Sequence, residues 1–207
     1  MYAGFAGAKA CHEKIRITRD THRAFGFGKI QTVIILGIDP GSRCTGFGVI
    51  DNQPNRITYL HSGYFKIQGD NLPQRLGQIY QHIDELIGQY RPQQMSIEQV
   101  FMHRNADSAL KLGQARGAAI CAGHMAGLEI VEYAAREIKQ AIVGTGAASK
   151  EQVQHMVKHL LGLREPLQSD ESDGLAIAIC HAQFYTTQQK TGLDAKLLKR
   201  RRSGSRR

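Results

Sequence analysis

The chain of 207 residues has no tryptophan, only five prolines and only four cysteines. Those cysteines, Cys11, Cys44, Cys121 and Cys180, form no CxxC pair. Neither a zinc-ribbon spacing nor a disulfide framework is therefore suggested, and a reducing cytoplasm fits best. Cys121 and Cys180 fall in alanine-rich helical stretches, where reduced and buried thiols are expected. No apolar run approaches the roughly 20 residues of a membrane span. The N-terminus lacks the continuous apolar core of a secretory signal. A Walker A lysine motif is missing as well.

Acids are scarce relative to bases: 18 Asp and Glu against 27 Lys and Arg, a net charge of +9. The excess sits at the two ends. Residues 1–32 sum to +4 and residues 190–207 to +7, which leaves −2 for everything between. A basic tail alone implies non-specific affinity for polyanions, so a specific function has to come from the body.

Glycine-rich, aperiodic residues 1–32 are expected to be a disordered or extraneous extension, and residues 188–207 a disordered basic tail. Residues 33–187 are left for one domain, a length that buries a sizeable core but hardly two. Residues 33–38 read as a fully buried strand. TGFGVID and ITYLHSGYFK complete a meander around Asn52, Pro54 and Asn55. Residues 72–90 carry Leu72, Leu76, Ile79, Ile83 and Leu86 at helical spacing, and Arg91-Pro92 ends that helix. MSIEQV is a short strand, residues 106–126 a helix rich in small side chains with Asn105 as N-cap, and LEIVEY another strand. Ser149 and Gln152 form a capping box for a helix over 150–161. The last helix starts near Asp170 and runs to about Tyr185. The order βββ-α-β-α-β-α-α predicts a mixed five-stranded sheet, a three-strand meander plus parallel strands, flanked by helices.

Four acids stand at element ends on this map. Asp39 closes the first strand in VIILGIDPGSRCTGFGVID. Glu98 closes the fourth in an otherwise apolar run, where a lone carboxylate is costly. Asp170 and Asp173 open the last helix three residues apart, so they share a face from which Glu171 points away. Singly, each reads as a turn former or a first-turn helix acid. Jointly they read as a metal cluster, because ionised carboxylates are the ligands hard cations require. Two divalent ions about 3.5–4 Å apart are the usual device for phosphodiester hydrolysis. The turn IDPGSRCTG also resembles the phosphate-binding turn of the actin, Hsp70 and sugar-kinase superfamily. Those proteins close two such domains around a nucleotide, and 207 residues are too few. The glycines here are read instead as room for a substrate phosphate to approach.

LGIDPGSRCTGFGVI, SIEQVFMHRNADSALKLGQARGAAI, EYAAREIKQAIVGTGAASKEQVQHMV and SDESDGLAIAICH together resemble the RuvC family of bacterial Holliday junction resolvases, over residues 33–187 without a large gap. The resemblance implies a ribonuclease H-like α/β fold. It also implies a homodimer that makes paired symmetric nicks in four-way junction DNA, with Mg²⁺, two per site, replaceable by Mn²⁺. By position Asp39, Glu98, Asp170 and Asp173 match the family's catalytic and metal-binding acids. Phe101 matches the aromatic that stacks on an unpaired base, and Lys139 and Lys150 match its DNA-phosphate contacts. The helix over 106–126 corresponds to the family's dimer interface. A RuvA–RuvB branch-migration partner and a bacterial, nucleoid-associated cytoplasmic location are implied too. Two other readings remain open at this point: a ribonuclease H-fold nuclease acting on structured RNA, and a non-enzymatic junction binder. His155 and His159 lie four apart on a helix, but no third zinc ligand is evident. The resemblance supplies no counterpart for residues 1–32.

Overall fold

The computed structural model describes residues 32–100 and 106–192. The expectations for residues 1–31 and 193–207, for Asn105 as a cap and for Phe101 fall outside those residues. The apolar run 33–38 does become a strand, β1 (Val33–Asp39), and it lies at the centre of a sheet. β2 (Cys44–Gln53) and β3 (Arg56–Lys66) follow as an antiparallel meander. β4 (Gln94–Glu98) and β5 (Glu129–Tyr133) add in parallel on the other side. The spatial order is β3-β2-β1-β4-β5, the mixed five-stranded sheet the sequence predicts.

Strand alternation sorts β1 between two cores. Val33 and Ile35 join a cluster with α3 (Ala135–Val143), α4 (Lys150–Leu161) and α5 (Ser169–Thr191). Leu36 and Ile38 join the opposite cluster with α1 (Leu72–Tyr90) and α2 (Ala106–Met125). β4 divides in the same way. Met95 and Ile97 face α1 and α2, whereas the Ser96 hydroxyl donates to the carbonyl of Ile177 on α5 and Gln94 Oε1 meets His181 Nε2 at 2.8 Å. Asp39 and Glu98 carry the parity of Ile35 and Ser96. Both therefore emerge on the α5 face.

α5 is buried almost all round from Ser172 to Phe184. It can lie so close to the sheet because the strands beneath it lack side chains at the contact. A Cβ on Gly37 would come within 2.3 Å of the Gly174 carbonyl oxygen, and one on Gly46 within 2.0 Å of the Asp170 carbonyl oxygen. The glycines around Asp39 thus make room for a helix backbone and not for a DNA phosphate. Gly41 tightens the turn itself, since its Cβ would meet the Cys44 carbonyl oxygen at 1.9 Å.

Helices α1 and α4 have the expected bounds. Ser149 and Gln152 exchange the two hydrogen bonds of a capping box, and Arg91 takes a left-handed conformation (φ 48°) before Pro92. Three expectations differ from the structure. α3 has no counterpart among the predicted elements. Its N-cap is Ala134, which offers no side-chain acceptor, and Glu137 instead accepts the Ala134 N–H at 2.8 Å. α5 continues past Tyr185 to Thr191, and so past residue 188, because no breaker intervenes before Gly192 at φ 65°. Cys180 is buried but Cys121 is exposed, because α2 buries Ala115, Ala119, Ala122 and Gly123, a face to which Cys121 does not belong. His181 is a packed core residue, bonded through Nδ1 to the Tyr133 hydroxyl at 2.8 Å. Among the described residues no helix is long and apolar enough to cross a membrane.

Candidate active site

The edge of the sheet where β1, β4 and β5 end receives the N-terminus of α5. Asp39 comes to it from β1, and Asp170 and Asp173 from the first turns of α5, where the helix dipole favours ionised carboxylates. One carboxylate oxygen from each of the three lies within 4.8 Å of the others. It is the one such grouping of potential metal ligands among the described residues, so His155 and His159 find no third partner there. Glu171 points away from the acids, accepting from the Ser62 hydroxyl at 2.6 Å and from the Gln168 N–H at 3.1 Å. These bonds fix the first turn of α5 against β3.

Glu98 stands outside the three-oxygen set but within its field. Burial, and next the Asp173 charge, raise its pKa, while Lys139 and Lys150 oppose the rise. Asp39 is more strongly affected. Burial, then Glu98, Asp173 and Asp170, push its carboxyl up to about 8, against the pull of Lys150. In the protein alone one acid of the cluster thus keeps its proton at neutral pH. A divalent cation removes both causes, replacing lost solvation and screening the mutual repulsion. The donor set, oxygen throughout, suits a hard cation.

Lys150 opens α4 immediately after the Ser149 cap, and its Nζ lies 2.8 Å from Asp173 Oδ2. That hydrogen bond is the first cause of its raised pKa. Lys139 lies on α3, the helix the sequence reading missed. With Glu98, Asp173 and Lys150 it borders an open cleft of about 200 Å³ whose floor includes Ile138 and Ile177. The structure thus brings six of the seven singled-out residues to one place, and the seventh, Phe101, is outside the described residues. Arg116 braces the end of β4. Its Nε donates to the Glu98 carbonyl at 3.2 Å while its guanidinium pairs with Glu132 at 2.5 Å.

Sequence reasoning missed one neighbour of the cluster. The Cys44 thiol donates to Asp170 Oδ2 at 2.9 Å. Burial, then that bond, push the thiol up to about 12, so it stays protonated and remains a donor. Its position at the first residue after the turn that follows Asp39 was the available signal, hidden because a scattered cysteine carries no spacing.

Residues 35–181 match the family model described as crossover junction endodeoxyribonuclease RuvC. The crossover junction endodeoxyribonuclease RuvC of Tolumonas auensis is 58% identical over 154 residues, 74% of this chain and 89% of that protein. The one from Shewanella frigidimarina is 56% identical over 163 residues, 79% of this chain and 93% of its own length. Among solved structures, T. thermophilus RuvC in complex with Holliday junction substrate superposes with a TM-score of 0.70 at 34% identity, covering 75% of this chain and 96% of that one. The yeast mitochondrial Holliday junction resolvase Ydc2, at 10% identity and a TM-score of 0.55 over 77% of this chain and 86% of its own, shares the fold.

Proposed function

The chain belongs to the RuvC family of crossover junction endodeoxyribonucleases, and on that premise we propose that it resolves Holliday junctions by paired symmetric nicks, with Asp39, Glu98, Asp170 and Asp173 as its metal-holding acids. The observation that carries this reading is the convergence of Asp39, Asp170 and Asp173 within 4.8 Å at the edge where β4 also delivers Glu98. The four acids would hold two Mg²⁺ ions, for which Mn²⁺ would substitute. When bound, such ions stabilise the negative charge that grows on the phosphate oxygens and make water a better nucleophile at neutral pH.

The protein's own groups do the rest. Asp39, whose carboxyl is held above its ordinary range, would give up its proton when a cation binds, which would couple loading to pH. Lys150 and Lys139, beside the cleft, contact the phosphates flanking the cut and balance charge on a body that is otherwise slightly acidic. The α5 mount holds Asp170 and Asp173 in one orientation, because Gly37 and Gly46 let the helix rest on the strands without slack. Water attacks phosphorus in line with the departing 3′-oxygen, leaving a 5′-phosphate nick that a ligase can close. Phe101, carried over by resemblance, stacks on an unpaired base at the crossover.

A junction with two-fold symmetry asks for two cuts, hence for a homodimer. α2 suits that role. Leu110 and Met125 are exposed on it, and Cβ atoms at Gly113 and Gly117 would meet nothing within 4 Å. The branch-migration pair RuvA–RuvB is the expected partner, in the nucleoid of the bacterial cytoplasm.

A synthetic four-way DNA junction with Mg²⁺ tests the reading, with Asp39→Asn alongside. Symmetric paired nicks by the wild type, and binding without cutting by the variant, are expected. A wild type that cuts structured RNA in preference, or a variant that keeps every activity, overturns it.

A further inference from the structure

The edge that carries the acids is longer than the acids. All five strands reach it, in the spatial order Lys66 at the end of β3, Cys44 at the start of β2, Asp39 and Glu98 at the ends of β1 and β4, and Tyr133 at the end of β5, after which α3 brings Lys139. The acids hold the middle. Lys139 and Lys150 stand on the β5 side of them. The β3 side carries cations too.

Lys66 pairs in register with Cys44, the residue that bonds to Asp170. Its ammonium is near enough to pull the Cys44 thiol pKa downward against burial and the acids. Arg43, in the turn between β1 and β2, offers its carbonyl to the N–H of Ile67 at 2.9 Å. That bond ties the backbone of the turn to the end of β3, so both cationic residues belong to the β3 end of the edge. Both are exposed, and among the described residues neither is in an ion pair. Exposed cations at the edge are free to take an anion from outside the chain. A nucleic-acid backbone laid along the edge, with its reacting phosphate at the acids, presents that anion.

We propose that Arg43 and Lys66 bind backbone phosphates of the cleaved strand on the side of the scissile phosphate opposite Lys139 and Lys150. The assignment rests on the nuclease reading above and extends it into a path: cations, acids, cations along one sheet edge. Neighbouring strands are about 4.8 Å apart, so Lys66 stands about 10 Å from Asp39 along the edge. That span places Lys66 within the first few linkages from the cut.

The test uses the full chain and a synthetic four-way DNA junction bound in Ca²⁺ over a salt series. Arg43→Ala/Lys66→Ala is expected to flatten the slope of log affinity against log salt by about 1–2, near one unit for each phosphate that the variant no longer neutralises. A neutral methylphosphonate stepped through the first few linkages from the cut, on one side and then the other, locates the interaction. On one side only, it weakens binding by the wild type and leaves the double variant unaffected. An unchanged salt slope, or equal sensitivity of both proteins to the neutral linkage, overturns the assignment. In that event symmetric nicking by the wild type in Mg²⁺ leaves the nuclease reading standing, whereas a wild type that neither binds nor cuts the junction overturns both.

Discussion

Lys150 Nζ lies 2.8 Å from Asp173 Oδ2, and the same ammonium lowers the pKa of Asp39 and Glu98. One cation on α4 thus offsets repulsion among acids from β1, β4 and α5. The pair is partly solvent-exposed, so its value lies in holding the acids ready and not in global stability.

Replacing Lys150 with Met should therefore leave the melting temperature nearly unchanged while cutting the rate of junction cleavage about tenfold or more, equivalent to ~1.4 kcal/mol of barrier. Single-turnover cleavage beside a thermal melt checks this. A large melting shift with unchanged cleavage goes against it.

The Asp39 carboxyl titrates near 3.8 when unperturbed and is pushed up to about 8 in the fold. Between those values the folded chain holds a proton that the unfolded chain has lost, so this group makes the metal-free protein less stable as pH rises through the window. Glu98 shifts in the same direction. In EDTA, Asp39→Asn should melt at the parent's temperature near pH 4 and above it at pH 8, by about 2–4 °C for each kcal/mol recovered. Mg²⁺ affinity of the wild type should rise with pH up to about 8, as isothermal titration in two buffers of different ionisation enthalpy would register through proton release.

The Cys44 thiol serves Asp170 as a hydrogen-bond donor at 2.9 Å. Cys44→Ala removes the donor and should weaken Mg²⁺ binding about tenfold, the scale of removing a hydrogen bond to a metal ligand. Cys44→Ser restores a donor and most of the affinity. With its thiol pushed up to about 12, Cys44 should stay largely unmodified by maleimide at neutral pH, which peptide mass spectrometry resolves.

Gly46→Ala places a Cβ 2.0 Å from the Asp170 carbonyl oxygen. The helix has to lift, costing about 1–3 kcal/mol or more, and Asp170 moves with it. Loss of Mg²⁺ binding beyond the loss in denaturant midpoint is the expected signature. An unchanged metal affinity argues that the helix seat is not what positions the acid.

Much of the fold was legible in the sequence for one reason: periodicity. The parity of β1 and β4 follows from alternation, and α1 and α4 carry their own spacing and caps. α3 lacked a side-chain cap and escaped notice, although Ile138 and Ile142 are its buried pair. The glycines near Asp39 were legible as close-approach positions, but what approaches them, the backbone of α5, was not.

By itself the sequence determined that a carboxylate ends a buried strand on a known face, because residues two apart must share a side. Only the tertiary structure decided that Asp170, Asp173, Cys44 and Lys150 meet it there. Their meeting depends on helix-on-sheet packing between segments distant in the chain, and no local spacing encodes the distance at which two such segments come to rest.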